Sequence, residues 1–387
     1  MSFIKKPRID LPGQLTNEIG LLKRDYEGAL STLCAGCGHD SITAAIVQAF
    51  WELSMPPEKV IKLSGIGCSS KTPAYFLSGA HGFNSVHGRM PSVAVGAHAG
   101  NIGCSSKTPA YFLSGAHGFN SVHGRMPSVA VGAHAGNRNL VCVGVSGDGD
   151  SLSIGFGQFG HAVRRNLNML YIIENNGVYG LTKGQFSAAA DKGSKSKKGD
   201  INQWKNIDAV STAISMGSSF VARSFSGDRE QLVMLIKAGI MHPGCAIVDV
   251  VSPCVTFNNH PGSTKSYTYT RDHYHPASQT DFIPPASEIK VSYAEGTSIV
   301  VDLHDGSKLL LKKADSGYDA TDRSRVMRYL EQQRARGEVV TGLLYINAEL
   351  PEMHNIYRTS ATPMKDLEFV KLNPGSEALA KLQAGMR

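Results

Sequence analysis

Two short runs near the middle of the chain carry the strongest chemical signal. Gly147-Asp148-Gly149-Asp150 and Asn175-Asn176 each close an apolar run that reads as a β-strand. Ligands of open α/β sheets bind at the carboxyl ends of the strands. Mg²⁺ takes hard oxygen ligands in near-octahedral geometry, usually one or two carboxylates beside phosphate oxygens. Asp148 offers a carboxylate, Asn176 a side-chain carbonyl, and the turn after it a backbone carbonyl at Val178. Glycine, above all Gly149, lets main chain approach phosphate closely. Together they read as a divalent-metal site facing a diphosphate.

The cysteines form a second set: Cys34, Cys37, Cys68, Cys104, Cys142, Cys245 and Cys254. Cys34 and Cys37 make a Cys-x-x-Cys just ahead of a helix, where free N–H groups favour negative charge. Cys68 in "GIGCSS" and Cys254 in "SPCVTFN" both follow strands. Four thiolates from separate loops suit a [4Fe–4S] cluster. A redox disulfide lacks a thioredoxin-like βαβ unit here, and zinc would need two further ligands. Cys142 and Cys245 sit inside apolar strands and belong to the core. A third feature, "HGR" at 87–89 and again at 123–125, can hold a phosphate or carboxylate between His and Arg. "GFGQFG" at 155–160 matches a dinucleotide fingerprint, but it lies within a helix and not at a strand-to-helix turn. Its glycines read as close helix-to-sheet packing.

The elements that must position these groups alternate. "SITAAIVQAFWELSM" spaces Ile42, Ile46, Ala49, Phe50 and Leu53 as one helical face, with Asp40 or Ser41 as cap. "KVIKLSG" (59–65), "NLVCVGVSGDGD" (139–150), "LNMLYIIENN" (167–176), "SFVARSFS" and "CAIVDVVSPC" read as strands. "SLSIGFGQFGHAVRRN", "DAVSTAISMG" and "DREQLVMLIKAGIMHPG" read as helices between them. Such alternation predicts an α/β fold with a mostly parallel sheet and helices on both faces. After a long polar loop come a hairpin ("TSIVVDLHDGSKLLLKK"), a helix ("TDRSRVMRYLEQQRARG") and a strand ("EVVTGLLYIN"). They predict a small C-terminal α+β extension. The expected organisation is an N-terminal tail at 1–28 that wraps a partner, a main domain at 29–257, and the loop and extension at 258–387.

One 36-residue stretch stands twice without a substitution, at Ile66–Asn101 and Ile102–Asn137. Two units are too few for a solenoid. Because the copies are identical, the chain can enter the fold through the first and leave through the second, switching anywhere between. One copy's worth of chain must then bulge out. Short spacing from Cys37 favours Cys68 over Cys104. Direct flow into the next strand favours His123 and Arg125 over His87 and Arg89.

The chain has 387 residues and a net charge of +7, with 42% hydrophobic and 18% charged residues. The excess charge is modest and no aromatic-interleaved basic stripe appears, so nucleic acid is not an expected partner. "DKGSKSKKGD" (191–200) reads as a surface loop. No signal peptide and no membrane span are seen. With an odd cysteine count and a Cys-x-x-Cys, this predicts thiol or metal chemistry in a reducing cytoplasm.

The GDGD…NN pattern resembles the thiamine diphosphate signature. "CAGCGHD", "GIGCSS", "HGRMPSVAVG", "GVSGDGD", "ENNGVYGLTKGQ" and "SPCVTFN" together resemble, in order, the β subunit of the 2-oxoacid:ferredoxin oxidoreductases, nearest the 2-oxoglutarate type. The likeness runs from about Thr32 to Asn258. It implies a thiamine diphosphate-binding, PP-type domain. It also implies Mg²⁺ held by Asp148, Asn176 and the Val178 carbonyl, and thiamine diphosphate lined by Ile66, Gly67, Cys68, Ser69, Gly149, Gly180 and Leu181. Cys34, Cys37, Cys68 (or Cys104) and Cys254 would ligate one [4Fe–4S] cluster, and the "HGR" His would lie near the cofactor. Lys183 is the candidate for the distal carboxylate of 2-oxoglutarate, since a dianion beside a diphosphate needs a cation. The implied reaction is oxidative decarboxylation of a 2-oxoacid with coenzyme A, or its reverse, with electrons passing to ferredoxin. A basic surface suits an acidic ferredoxin through steering. The carboxylate that thiamine enzymes place on the aminopyrimidine would come from an α subunit.

The chain departs from the family after "LTKGQ", where "FSAAADKGSKSKKGD" replaces a Ser/Thr/Pro-rich run, and in the doubled segment. Two rival readings are a cluster-free thiamine diphosphate decarboxylase or synthase, and a non-catalytic metal-binding scaffold inactivated by the duplication.

Overall fold

The structure is a computed structural model. It describes residues 13–28, 31, 33, 36–65, 81–82, 119–120, 123–179, 184–194, 199–252, 254, 289–302, 308–373 and 375–385. The strands are β1 (Val60–Ser64), β2 (His81–Gly82), β3 (Phe119–Asn120), β4 (Val141–Gly147), β5 (Met169–Asn175), β6 (Val178–Tyr179), β7 (Gln185–Phe186), β8 (Phe220–Phe225), β9 (Cys245–Val251), β10 (Ser298–Asp302), β11 (Lys308–Lys313) and β12 (Glu338–Ile346). The principal helices are α1 (Gly38–Glu52), α2 (Met126–Gly136), α3 (Phe156–Arg164), α4 (Ala209–Ser215), α5 (Arg229–Met241), α6 (Arg323–Ala335) and α7 (Met353–Tyr357).

Ten strands form one sheet in the order β10-β11-β12-β8-β9-β5-β4-β1-β2, with β3 also on β1. The middle of the sheet is parallel, as its apolar runs require of strands buried on both faces. Successive residues of β5 serve opposite cores. Met169, Tyr171 and Ile173 pack with α2, α3, α4 and α6, and Leu170 and Ile172 pack with α1 and α5. Phe159 and Phe50 are fully buried in these two layers, each contributing about 1.5–3 kcal/mol by removal from water. Cys142 and Cys245 are buried in strands, as expected.

The C-terminal unit does not stand apart. β12 pairs antiparallel with β8, so β10–β12 extend the main sheet, and Val326, Leu330, Val340 and Leu344 join its core. A local pattern gives no address for an edge strand, so the expected extension came without a place in the sheet. The N-terminal segment also differs from expectation. Tyr26 is fully buried in the chain's own core, and its hydroxyl accepts from Asn17 Nδ2 at 2.8 Å. Residues 1–12 lie outside the described residues.

Helix α1 begins at Gly38 with Cys37 as N-cap and no side-chain cap bond, so Asp40 and Ser41 lie inside its first turn. The start is fixed by packing. A Cβ at Gly38 would fall 2.5 Å from Ser252 Oγ and 2.6 Å from Ser226 Oγ. The glycines of "GFGQFG" do not serve helix-to-sheet packing. Gly155 abuts Gly124, Gly160 meets Met216, and Gly157 has open space.

Strands β2 and β3 come from different copies of the repeat. Each copy contains His-Gly-Phe-Asn, at 81–84 and 117–120. Ile61 and Lys62 pair with His81 and Gly82, and Leu63 and Ser64 pair with Phe119 and Asn120. β4 occupies the other edge of β1 throughout. The edge is therefore a composite His-Gly-Phe-Asn, its first half from copy one and its second from copy two.

Candidate active site

β4 and β5 run side by side, with Gly147 opposite Glu174, and deliver Asp148 and Asn176 to the same end of the sheet. Asp148 is 1% exposed. Its Oδ1 accepts the Asn176 N–H at 3.3 Å, and its Oδ2 accepts the Ser187 hydroxyl. Burial pushes the Asp148 carboxyl up to about 6, against the pull of these hydrogen bonds. Asn176 Oδ1 accepts the Val178 N–H at 3.0 Å, an Asx turn that leaves one carbonyl lone pair to spare. Gly177 makes the turn possible with φ of 74°. A Cβ on Gly149 would overlap the Tyr179 ring, whose hydroxyl donates to the Gly149 carbonyl at 3.2 Å.

These residues fit a divalent cation. The donors are hard oxygens within one turn of each other. The buried Asp148 carboxylate is met by neutral donors, so a cation would supply the countercharge that burial otherwise withholds.

The second acid of GDGD, which the sequence reading left without a role, organises the loop beside it. Asp150 is buried. Its Oδ1 accepts the Gly124 N–H at 2.8 Å and lies 3.3 Å from His123 Nδ1. Its Oδ2 accepts the Ser146 hydroxyl at 2.8 Å. Gly124, at φ of 70°, must be glycine twice over, because a Cβ would also strike Gly155. Arg125 then caps α2 and is exposed, and the His123 side chain is 43% exposed. The second "HGR" is therefore fastened to the GDGD turn.

Cys37 and Cys254 stand at the same end of the sheet, Cys37 buried and Cys254 half-buried. Burial raises the Cys37 thiol well above its ordinary range, with the charges of Glu174 and Cys254 adding to it. His39 Nδ1 lies 2.8 Å from Ser252 Oγ, and its Nε2 lies 3.7 Å from Glu174 Oε2. Burial lowers His39 to about 4, so the ring is neutral. Through it the first turn of α1 is tied to both strand ends, β5 and β9. Two cysteine sulfurs at one end of the sheet fit part of an iron–sulfur ligand set. Among the described residues no three His, Cys, Asp or Glu side chains converge on one metal position.

Of the residues singled out in the sequence, Asp148, Gly149, Asn176, Val178, Cys37, Cys254, His123 and Arg125 gather at this end of the sheet. Cys34, Ile66, Gly67, Cys68, Ser69, His87, Arg89, Cys104, Gly180, Leu181 and Lys183 lie outside the described residues. Sequence reasoning missed Asp150, Ser187, His39 and Tyr179. Only Asp150 carried a signal, as the second acid of an already recognised run.

Residues 99–250 match the family model described as "Thiamine pyrophosphate enzyme, C-terminal TPP binding domain". The fold and the strand-end site thus define a thiamine pyrophosphate-enzyme domain. The 2-oxoacid:ferredoxin oxidoreductase subunit beta of Saccharolobus solfataricus is 38% identical over 229 residues, 58% of this chain and 63% of that protein. The 2-oxoglutarate synthase subunit KorB of Methanocaldococcus jannaschii is 32% identical over 225 residues, 58% of this chain and 69% of that protein. The chain belongs to the 2-oxoacid:ferredoxin oxidoreductase β-subunit family. Its match spans less than two thirds of the length of the Saccharolobus solfataricus protein, 63%. In fold it is similar to the 2-oxoglutarate:ferredoxin oxidoreductase from Magnetococcus marinus, solved with 2-oxoglutarate, coenzyme A and succinyl-CoA bound. The TM-score is 0.61 and the identity 24%, over 90% of this chain and 92% of that one.

Proposed function

We propose that the chain is the β subunit of an enzyme that oxidatively decarboxylates a 2-oxoacid, 2-oxoglutarate by preference, with coenzyme A, or runs the reductive reverse. It would work with an α subunit and ferredoxin in the reducing cytoplasm. The observation that carries this reading is the convergence of Asp148 and the Asn176–Val178 turn with Cys37 and Cys254 at one end of the sheet. On this reading a metal-diphosphate site and a cluster site would be neighbours. No helix among the described residues is long and apolar enough to cross a membrane.

Asp148, the Asn176 side chain and the Val178 carbonyl would hold Mg²⁺. Gly149, with Ile66–Ser69, Gly180 and Leu181, would give the diphosphate its main-chain cradle. Cys34, Cys37, Cys68 and Cys254 would ligate one [4Fe–4S] cluster. When bound, thiamine diphosphate supplies the nucleophilic carbon at which a 2-oxoacid loses CO₂, and the cluster takes up the electrons. Around them the protein orients and excludes water. Asp150 holds His123 and Arg125 at the phosphate end, and Lys183 would meet the distal carboxylate of the substrate.

The test is anaerobic co-expression with an α subunit, followed by methyl-viologen reduction with pyruvate, 2-oxoglutarate and branched-chain 2-oxoacids. A brown protein absorbing near 400 nm that reduces viologen fastest with 2-oxoglutarate and coenzyme A is expected. A colourless anaerobic preparation that releases CO₂ without reducing viologen would sink the reading.

A further inference from the structure

Asn175, the first of the two adjacent asparagines, is turned away from Asp148. Its Nδ2 donates to Asp249 Oδ1 at 3.0 Å. Asp249 lies on β9, and its other oxygen accepts Arg223 Nε at 2.8 Å across the β8–β9 pair. Arg223 Nη2 reaches Asp208 Oδ1. Arg334 of α6 meets the other oxygen of Asp208 at 2.9 Å, and that same oxygen accepts the Ser211 N–H as the cap of α4. A continuous line of ion pairs and charge-assisted hydrogen bonds thus runs from α6 to the residue before Asn176.

The line is costly to bury. Asp249 is fully buried and Arg223 is 8% exposed. A buried ion pair is often no more stabilising than apolar side chains of the same volume, because desolvation offsets the attraction. The fork of Arg223 instead gives direction, fixing two carboxylates at set angles. The line also borders open space. Asn175, Asn176, Asp249, Arg223, Asp208 and Arg334 all line a cavity of about 510 Å³ between the Asn176–Val178 turn and β11–β12. With a void on one side of the turn, packing alone does not hold it, and the hydrogen-bonded line does.

We propose that Arg223 is a positioning residue for the metal turn. It acts through Asp249 and Asn175 on Asn176–Val178, and it couples the turn to α6 through Asp208 and Arg334. This rests on the reading of that turn as the Mg²⁺–diphosphate site. Outer partners of metal ligands typically change affinity by about 10–100-fold when removed. The probes are Mg²⁺ and thiamine diphosphate, titrated by calorimetry into the full chain purified with its α subunit. Asn175→Ala is expected to weaken binding by about 10–100-fold and to raise the Mg²⁺ concentration for half-saturation, with the cofactor-free melting temperature lowered by the Asp249 oxygen left unpaired. Arg223→Lys, which keeps the charge and loses the fork, is expected to fall between wild type and Arg223→Met. Arg334→Ala, at the far end, should show the smallest loss. Should Arg223→Met not fold, Asn175→Ala still decides. Wild-type affinity and Mg²⁺ dependence in Asn175→Ala overturn the relay while leaving the cofactor site intact. A wild-type complex that binds no thiamine diphosphate overturns the site reading and the relay with it.

Discussion

Gly82 and Phe119 occupy successive places along one edge of β1, opposite Lys62 and Leu63. In each copy of the repeat glycine and phenylalanine are adjacent residues. The edge therefore reads as one uninterrupted His-Gly-Phe-Asn in which copy one hands over to copy two. Upstream of the handover the working residues belong to the first copy, and downstream to the second. On the proposed function, Cys68 would then ligate the cluster, and His123 and Arg125 would form the phosphate-end pair. Cys68→Ser should remove iron and the absorption near 400 nm, and Cys104→Ser should leave both unchanged. Likewise His123→Ala should lower turnover and His87→Ala should not. The opposite pattern in either pair would move the handover.

The same geometry fixes what deletion of one copy should do. The chain leaves β1 after Gly82 and rejoins it at the next position, one repeat length later. Closing a loop of about 36 residues costs on the order of 3 kcal/mol in chain entropy. Removing one copy leaves the composite edge intact, so thermal unfolding should move upward by up to about that free energy, with higher iron content per chain. A single-copy protein that melts lower would show that the second copy stabilises the fold.

The parts legible in the sequence were those fixed by local pattern. The apolar runs of β4, β5 and β9 announced strands buried on both faces, and their ends announced where Asp148, Asn176 and Cys254 would sit. What stayed hidden depends on partners distant in the chain. His39 gains its meaning from Ser252 and Glu174, and Ser187 from Asp148. Gly38 opens α1 because Ser226 and Ser252 leave no room for a Cβ, and no capping rule foresees that. β12 carries an ordinary strand pattern, and only its pairing with β8 tells that it extends the main sheet.

Asp150 offers a test of the loop that carries His123. Its carboxylate accepts from the Gly124 N–H and the Ser146 hydroxyl and faces His123. In Asp150→Ala both carboxylate oxygens are lost, and the Gly124 N–H is left without its acceptor. Leaving a buried donor without an acceptor costs about 1–3 kcal/mol. The variant should melt lower by a comparable free energy and bind thiamine diphosphate more weakly. Asp150→Ala with unchanged melting and affinity would remove Asp150 from the site.

Helix α2, which follows His123 and Arg125, is clasped to α7 by two buried histidines. His134 Nδ1 lies 3.0 Å from His354 Nε2, and His354 Nδ1 lies 2.7 Å from Thr359 Oγ1. Such a bond needs one ring nitrogen with a proton and one without, which two neutral imidazoles provide and two imidazoliums cannot. Burial lowers the His354 pKa, with Arg138 acting in the same direction and Glu352 against it. The fold therefore favours the neutral ring. Its contribution is complete above the ordinary histidine range near 6.5 and is lost as pH falls below it. Melting temperature should decline from about pH 7 toward pH 5, and His354→Gln, which keeps a hydrogen-bonding group without the charge, should flatten that decline. Parallel pH profiles for the two proteins would place the acid sensitivity elsewhere.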